Sequence, residues 1–269
     1  MASSGTITPD LLNSLLSPDA QRRSQGEAFL QTLSVAQRVQ GFLPIVIQAN
    51  DNSNNNNNST HGHLAAVLLR RDILRMTESP EALVDPLLQA FLTANTTASS
   101  TTTNRIAIGH CLAEIAGSVA MLAPSNQERV MNRILTAIGN AVGQGDIASL
   151  RLLTAMAERA PLVFATTAAP SLENLIQQVT FSNNNNHNNE QLLEALMQLL
   201  VHAAIATQAT QQTVLLPFTT GEENATIDPN SVAAALGRSC LPKLMQQWSS
   251  SSSEISSSSS SSLAMLQEW

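Results

Sequence analysis

The chain has 269 residues, 43% of them hydrophobic but only 3% aromatic and none of them Tyr. A core must therefore come from Leu, Ile, Val, Ala and Met, which suits packed helices better than β-sheets. A formal charge of −7 with only 12% charged residues excludes the clustered Lys and Arg of a nucleic-acid footprint and makes a basic protein the more fitting partner.

The N-terminus lacks a basic segment and its first apolar stretch ends at Leu16, so neither a signal peptide nor a membrane span is expected, and the protein reads as soluble and intracellular. Sequons such as Asn95-Thr96-Thr97 and Asn224-Ala225-Thr226 then follow from Asn and Thr richness alone. The first predicted helix is capped by Thr8, with Pro9 at its first position and Leu11, Leu12, Leu15 and Leu16 as its apolar stripe. Ser17 and Pro18 repeat the start signal. That second helix runs to about Leu33, burying Ala28, Phe29, Leu30 and Leu33 while Arg22 and Arg23 face out. A third, from about Ser34, presents Val35, Val39, Phe42, Leu43, Ile45, Val46 and Ile47.

The asparagine tract Asn54 to Asn58 buries too little apolar surface to offset its ordering entropy and reads as a loop over about 50–60. A helix resumes near His61–His63, with Leu64, Val67, Leu68 and the stem of Arg71 expected on one face. The next helices are Pro80 to about Ala94 and, after a Thr-rich loop at about 95–103, Asn104 to about Met121 with Ile108, Leu112, Ile115 and Val119 buried. Cys111 lies in this helix and Cys240 in a later one; both read as reduced, small apolar residues. Ser125 caps a helix through Val130, Ile134, Leu135 and Ile138, ended by Gly143, and Asp146 starts its partner through Leu150, Leu153 and Met156. Pro170 to Val179 and Asn189 to Ile205 form another pair around a loop at about 182–189, and Pro229 to Trp248 and Ser261 onward a last one around a serine tract at about 249–262.

The second helices of these pairs start near Pro18, His61, Asn104, Asp146 and Asn189, at intervals of about 43 residues, within the HEAT and armadillo range. The fold class expected is all-α, a HEAT-repeat α-solenoid of about six antiparallel helix pairs forming a single array over 1–269. Its low-complexity loops fall between the two helices of a pair, on one face of the stack.

Residues that carry chemistry are sparse. His61-Gly62-His63 has no Cys or carboxylate at metal-site spacing and reads as a solvated helix start. His110 and Cys111 point about 100° apart on a helix, which does not make a nucleophile and base. Gly143-Gln144-Gly145 follows a helix and not a strand, so it reads as a helix stop and not a phosphate loop. Glu158 stands, like Glu114, on a second helix without a partner carboxylate for acid–base work. No enzymatic activity, metal or cofactor is expected. Arg22, Arg23, Arg70, Arg71, Asp72 and Arg105 lie on second helices, where a stripe of charge serves either solubility or binding.

Leu12-Asn13-Ser14-Leu15-Leu16-Ser17-Pro18-Asp19 with Gln25-Gly26-Glu27-Ala28-Phe29-Leu30 resembles the N-terminal importin-β homology segment. Ala65-Ala66-Val67-Leu68-Leu69-Arg70-Arg71 is similar to the second-repeat helix of karyopherin-β receptors, most closely the importin-five branch, and Ala113-Glu114-Ile115-Ala116 to the matching third-repeat helix. The resemblance implies an importin-β-type segment over about 10–77, further HEAT repeats over about 78–269, and a nuclear import receptor at the Ran-facing end of a longer solenoid. It also implies binding of the GTP form of Ran through Arg70, Arg71 and Asp72, with Arg105 and Glu114 as neighbours, together with FG nucleoporins and basic cargo. A receptor of this kind works in cytoplasm and nucleus, associated with the nuclear pore. The other reading from the sequence is a HEAT-repeat adaptor for a different multiprotein complex.

Overall fold

The computed structural model describes residues 7–51, 56–93, 99–118, 124–179 and 186–215, together with Pro242 and Met245. Among them there is no strand, and the fold is all-α. The chain divides into two compact units, residues 1–137 and 138–269. The last predicted helix pair and the serine tract lie outside the described residues, apart from Pro242 and Met245, both helical and exposed.

The first unit opens with α1 (Pro9–Leu15), which has Thr8 at its cap position and Pro9 in its first turn, and α2 (Ala20–Thr32). The cap of α2 is Asp19 and not Ser17, because the Asp19 carboxylate accepts from the Gln21 amide at 2.9 Å. A reciprocal capping box starts α3 (Val35–Asp51): Ser34 Oγ accepts from the Gln37 amide and Gln37 Oε1 from the Ser34 amide. Then come α4 (Asn56–Ile73), a 3-10 turn (Pro80–Leu83), α5 (Val84–Thr93), α6 (Ser99–Ala116) and the start of α7 (Pro124–Gly143).

Helix α3 packs on α4 and α5 on α6, while α3 also touches α5 and α4 touches α6. Two successive pairs are thus stacked first helix on first helix and second on second. Phe42 of α3, Phe91 of α5, Leu69 of α4 and Leu112 of α6 are fully buried between them, each contributing about 1.5–3 kcal/mol of apolar burial.

The second unit takes the end of α7, which closes in a Schellman motif: Gly145 sits at φ 76°, its amide donates to the Val142 carbonyl, and the Asp146 amide donates to Ala141. The left-handed residue is Gly145, two positions beyond the predicted stop. Asp146 then caps α8 (Ile147–Arg159) through its carboxylate, which accepts from the Ser149 amide at 3.0 Å. A helical stretch missing from the sequence reading follows, made of α9 (Pro161–Val163) and a π turn (Phe164–Ala168), and it leads into α10 (Ala169–Gln177), the helix expected from Pro170. The wide turn immediately precedes Pro170, whose nitrogen has no hydrogen to give a regular helix. The long α11 (Asn186–Leu215) packs on α8, α9 and α10 through Leu192, Leu196, Leu199, Leu200 and Ala203.

Many predicted core positions are buried, namely Leu12, Leu30, Leu33, Val39, Phe42, Val46, Ile108, Leu112, Ile115, Val130, Ile134, Ile138, Leu150, Leu153 and Met156, while Leu11, Leu15, Val35, Leu43, Ile45, Ile47 and Leu135 are half-buried. Leu16, Ala28 and Phe29 are exposed instead, and Val119 lies outside the described residues. Helices also reach into the polar tracts, since α4 begins at Asn56, α6 at Ser99 and α11 at Asn186. Asn, Ser and Thr cost only a few tenths of a kcal/mol each in a helix whose far end is already held by packing.

The largest departure is the rotation of α4. Its buried face is Gly62, Ala65, Ala66, Leu69 and Ile73, whereas Val67 is 47% exposed, Leu64 and Leu68 are half-buried and Arg71 is exposed. Small residues on the inner face let the neighbours approach closely, and a Cβ built on Gly62 lies only 2.2 Å from the Ala49 Cβ of α3. Gly62→Ala is therefore expected to lose about 1–3 kcal/mol by forcing the two helices apart. Gly139→Ala in α7, where the nearest atom is Leu175 Cδ2 at 3.9 Å, is expected to gain up to about 1 kcal/mol from helix propensity. Urea titrations of the two variants check both signs.

Candidate interaction surface

Five side chains, Arg70, Arg71, Asp72, Arg105 and Glu114, are the sequence-based candidates for a binding surface, and the rotation of α4 decides which are available. Asp72 has no exposure and points inward. Arg38 of α3 meets it side-on, with Nε donating to Oδ2 and Nη2 to Oδ1, both at 2.9 Å. The same guanidinium donates from Nη1 to the carbonyls of Leu30 at 3.2 Å and Leu33 at 2.6 Å. Those carbonyls lie at the end of α2, where the Leu30 carbonyl also accepts from the Leu33 amide at 3.2 Å. The hydrogen bonds that Asp72 accepts, with the charge of its carboxylate, raise the pKa of Arg38 against the lowering effect of burial.

Arg70 turns toward α6, where its Nε and Nη2 donate to Glu114 Oε1 at 2.9 and 2.7 Å. Glu114 is 4% exposed and the Arg70 side chain 30%. Arg105 is buried against α5, donating from Nε to the Phe91 carbonyl at 3.0 Å with its guanidinium carbon 4.7 Å from the centre of the Phe91 ring. Arg22 and Arg23 are exposed on α2, Arg23 donating to the Ser17 carbonyl. The structure therefore brings Arg70 and Glu114 together, sends Asp72 and Arg105 into the interior, and leaves Arg71 as the fully exposed member of the five.

Sequence reasoning missed Arg38, Val67, Leu74 and Arg75. Leu74 is 63% exposed, and Arg71 and Arg75 are exposed beside it without an ion-pair partner among the described residues. The readable signal was the run of small residues: Gly62, Ala65 and Ala66 share a face with Leu69, Asp72 and Ile73, so the larger Val67 and Leu74 fall on the other.

His61 and Cys111 are packing contacts. His61 is not a solvated helix start, because α4 begins five residues earlier and His61 Nε2 lies 2.8 Å from Asn13 Oδ1 of α1. Among the described residues no group of three His, Cys, Asp or Glu side chains is placed to hold a metal ion, and no helix is long and apolar enough to cross a membrane. The Cys111 thiol donates to the Ala66 carbonyl at 3.2 Å, and burial pushes its pKa up to about 12.

Several contacts between helices join residues at similar separations. Asn13–His61 and Glu81–Arg129 join residues 48 apart, Ala66–Cys111 residues 45 apart, and Arg70–Glu114 residues 44 apart. Asp85 pairs with Arg133 in the first unit and Glu158 with His202 in the second. The surface pairs contribute little energy, about 0–1 kcal/mol each, but they record which helix lies beside which.

Removing Arg38 leaves Asp72 buried and unpaired, so Arg38→Ala is expected to destabilise the first unit by about 3–5 kcal/mol. The double variant Arg38→Met/Asp72→Leu is expected to recover at least half of that in denaturant titration. In a Cys240→Ser background, Cys111 is expected to resist a thiol reagent at pH 8, where roughly one molecule in ten thousand carries the thiolate, and to react stoichiometrically in guanidinium.

No family model, curated protein or solved structure matches this chain.

Proposed function

We propose that the chain is a HEAT-type helical-repeat scaffold that works by binding other proteins, in the manner of the N-terminal region of a karyopherin-β nuclear import receptor. The observation that carries the repeat reading is the spacing of the inter-helix contacts. Side chains 44–48 residues apart meet in both units, on first helices (Glu81–Arg129) and on second helices (Arg70–Glu114, Glu158–His202). Stacked repeats produce that pattern, because each helix touches its equivalent one repeat away. The stacking of α3 on α5 and of α4 on α6 supports the same arrangement.

The import-receptor reading rests on the resemblance of the α2, α4 and α6 sequences to that family. In this reading GTP-loaded Ran meets the outer edge of α4 at Arg71 and the exposed part of Arg70, while Asp72, Arg105 and Glu114 act from beneath by fixing the helices. FG nucleoporins and basic cargo are the other partners, the net charge of −7 favouring encounter with cationic segments. Such a receptor moves between cytoplasm and nucleus through the nuclear pore.

A pull-down against Ran loaded with GTP or GDP tests the assignment. Retention of the GTP form alone is expected, and Arg71→Glu should weaken it about tenfold or more with an unchanged circular dichroism spectrum. Arg70→Glu sets two carboxylates face to face at Glu114, so a loss of stability is expected there as well. Equal or absent retention of the two nucleotide forms would leave the adaptor reading in place of the receptor.

A further inference from the structure

We propose that the outward face of α4 and its C-terminal extension is a docking site for an acidic amphipathic helix, bound through Val67 and Leu74 with Arg71 and Arg75 pairing its carboxylates. The proposal needs the packing of α4 but not the transport reading. The inner face of α4 is occupied by α1, α3 and α6. Its outer face carries His63, Val67, Arg71 and Leu74, at successive separations of four, four and three residues, with half-buried Leu64 and Leu68 beside them. That spacing makes one continuous stripe, about 16 Å long at the rise of a helix. Beyond Ile73 the winding continues, since the Leu74 amide donates to Arg70 and the Arg75 amide to Asp72. Arg75 therefore stands beside the end of the stripe.

Two features specify the occupant. Val67 and Leu74 leave 47% and 63% of their surfaces exposed within one turn of Arg71, so a complementary ligand needs apolar groups spaced along one face. Arg71 and Arg75 have no ion-pair partner among the described residues, because Asp72 is committed to Arg38 and Glu114 to Arg70. Two unneutralised arginines beside exposed aliphatic groups, on a chain whose net charge is −7, select carboxylates between the apolar positions of the ligand. A nucleic acid would leave Val67 and Leu74 uncovered. A second copy docked α4 against α4 about a two-fold axis would set the arginines of the two copies against each other.

The test is fluorescence anisotropy on the full chain, without Ran, using a fluorescein-labelled synthetic helix with leucines along one face and glutamates flanking them. Controls are a scrambled isomer and a version with lysine in place of glutamate. Micromolar binding of the first probe alone is expected, weakening as salt rises. Arg71→Glu/Arg75→Glu should weaken it about tenfold or more and Leu74→Ser about fivefold, with melting temperatures unchanged because all three side chains are exposed. Binding equal to that of the scrambled probe, or affinity unaffected by either variant, would overturn the proposal. So would concentration-dependent dimerisation in sedimentation equilibrium that Leu74→Ser abolishes. Ran retention is read separately, so loss of one reading leaves the other standing.

Discussion

Four hydrogen bonds from one guanidinium organise the N-terminal helices. Arg38 stands on α3, grips both oxygens of Asp72 on α4, and bonds the two carbonyls that close α2. Burying two charges costs several kcal/mol of solvation, which near-ideal geometry and further hydrogen bonds offset. The bidentate pairing supplies the geometry and the carbonyls of Leu30 and Leu33 supply the acceptors. Because Asp72 must face Arg38, α4 cannot rotate about its axis, and everything on its far side is fixed as surface.

Close packing acts in the same sense. Gly62, Ala65 and Ala66 form a low ridge that brings α4 near α3 and α6, close enough for the Cys111 thiol to reach the Ala66 carbonyl. Leucines at those positions would bury more area but hold the helices further apart, and the side-on pair of Arg38 and Asp72 would no longer close. The buried thiol is a consequence of that proximity: a group pushed to a pKa of about 12 serves as a small packing residue with a weak donor and not as a nucleophile.

The buried charges Arg38, Asp72, Arg105 and Glu114 are committed to holding helices together. Arg105 is spent on the end of α5, Glu114 on Arg70, Asp72 on Arg38. Such pairs are expensive to break from one side and carry register from one helix to the next. The exposed cations Arg71, on α4, and Arg75, just beyond it, stand beside aliphatic groups and so differ from solvated surface charge. A binding role for this region is therefore a matter of the outer edge of α4, while the residues beneath it set where that edge lies.

The sequence by itself determined the helical class and those starts and stops that rest on local capping. Pro9 after Thr8, Ser34 with Gln37, and Asp146 after Gly145 act through backbone groups within a few residues, so no tertiary contact is needed to read them. It also suggested an interval of about 43 residues, since apolar periodicity repeats along the chain whatever the helices touch, but α2, α4, α6, α8 and α11 start less evenly, at Ala20, Asn56, Ser99, Ile147 and Asn186. Only the tertiary structure decided the rotation of α4, the inward turn of Asp72 and Arg105, and the extension of α4, α6 and α11 into the Asn- and Thr-rich tracts. A leucine-weighted pattern places the widest apolar residues inward, but two helices meet most closely where side chains are smallest, and a buried ion pair outweighs one valine in choosing the face. That choice depends on Arg38, 34 residues away from Asp72, and no periodicity within α4 contains it.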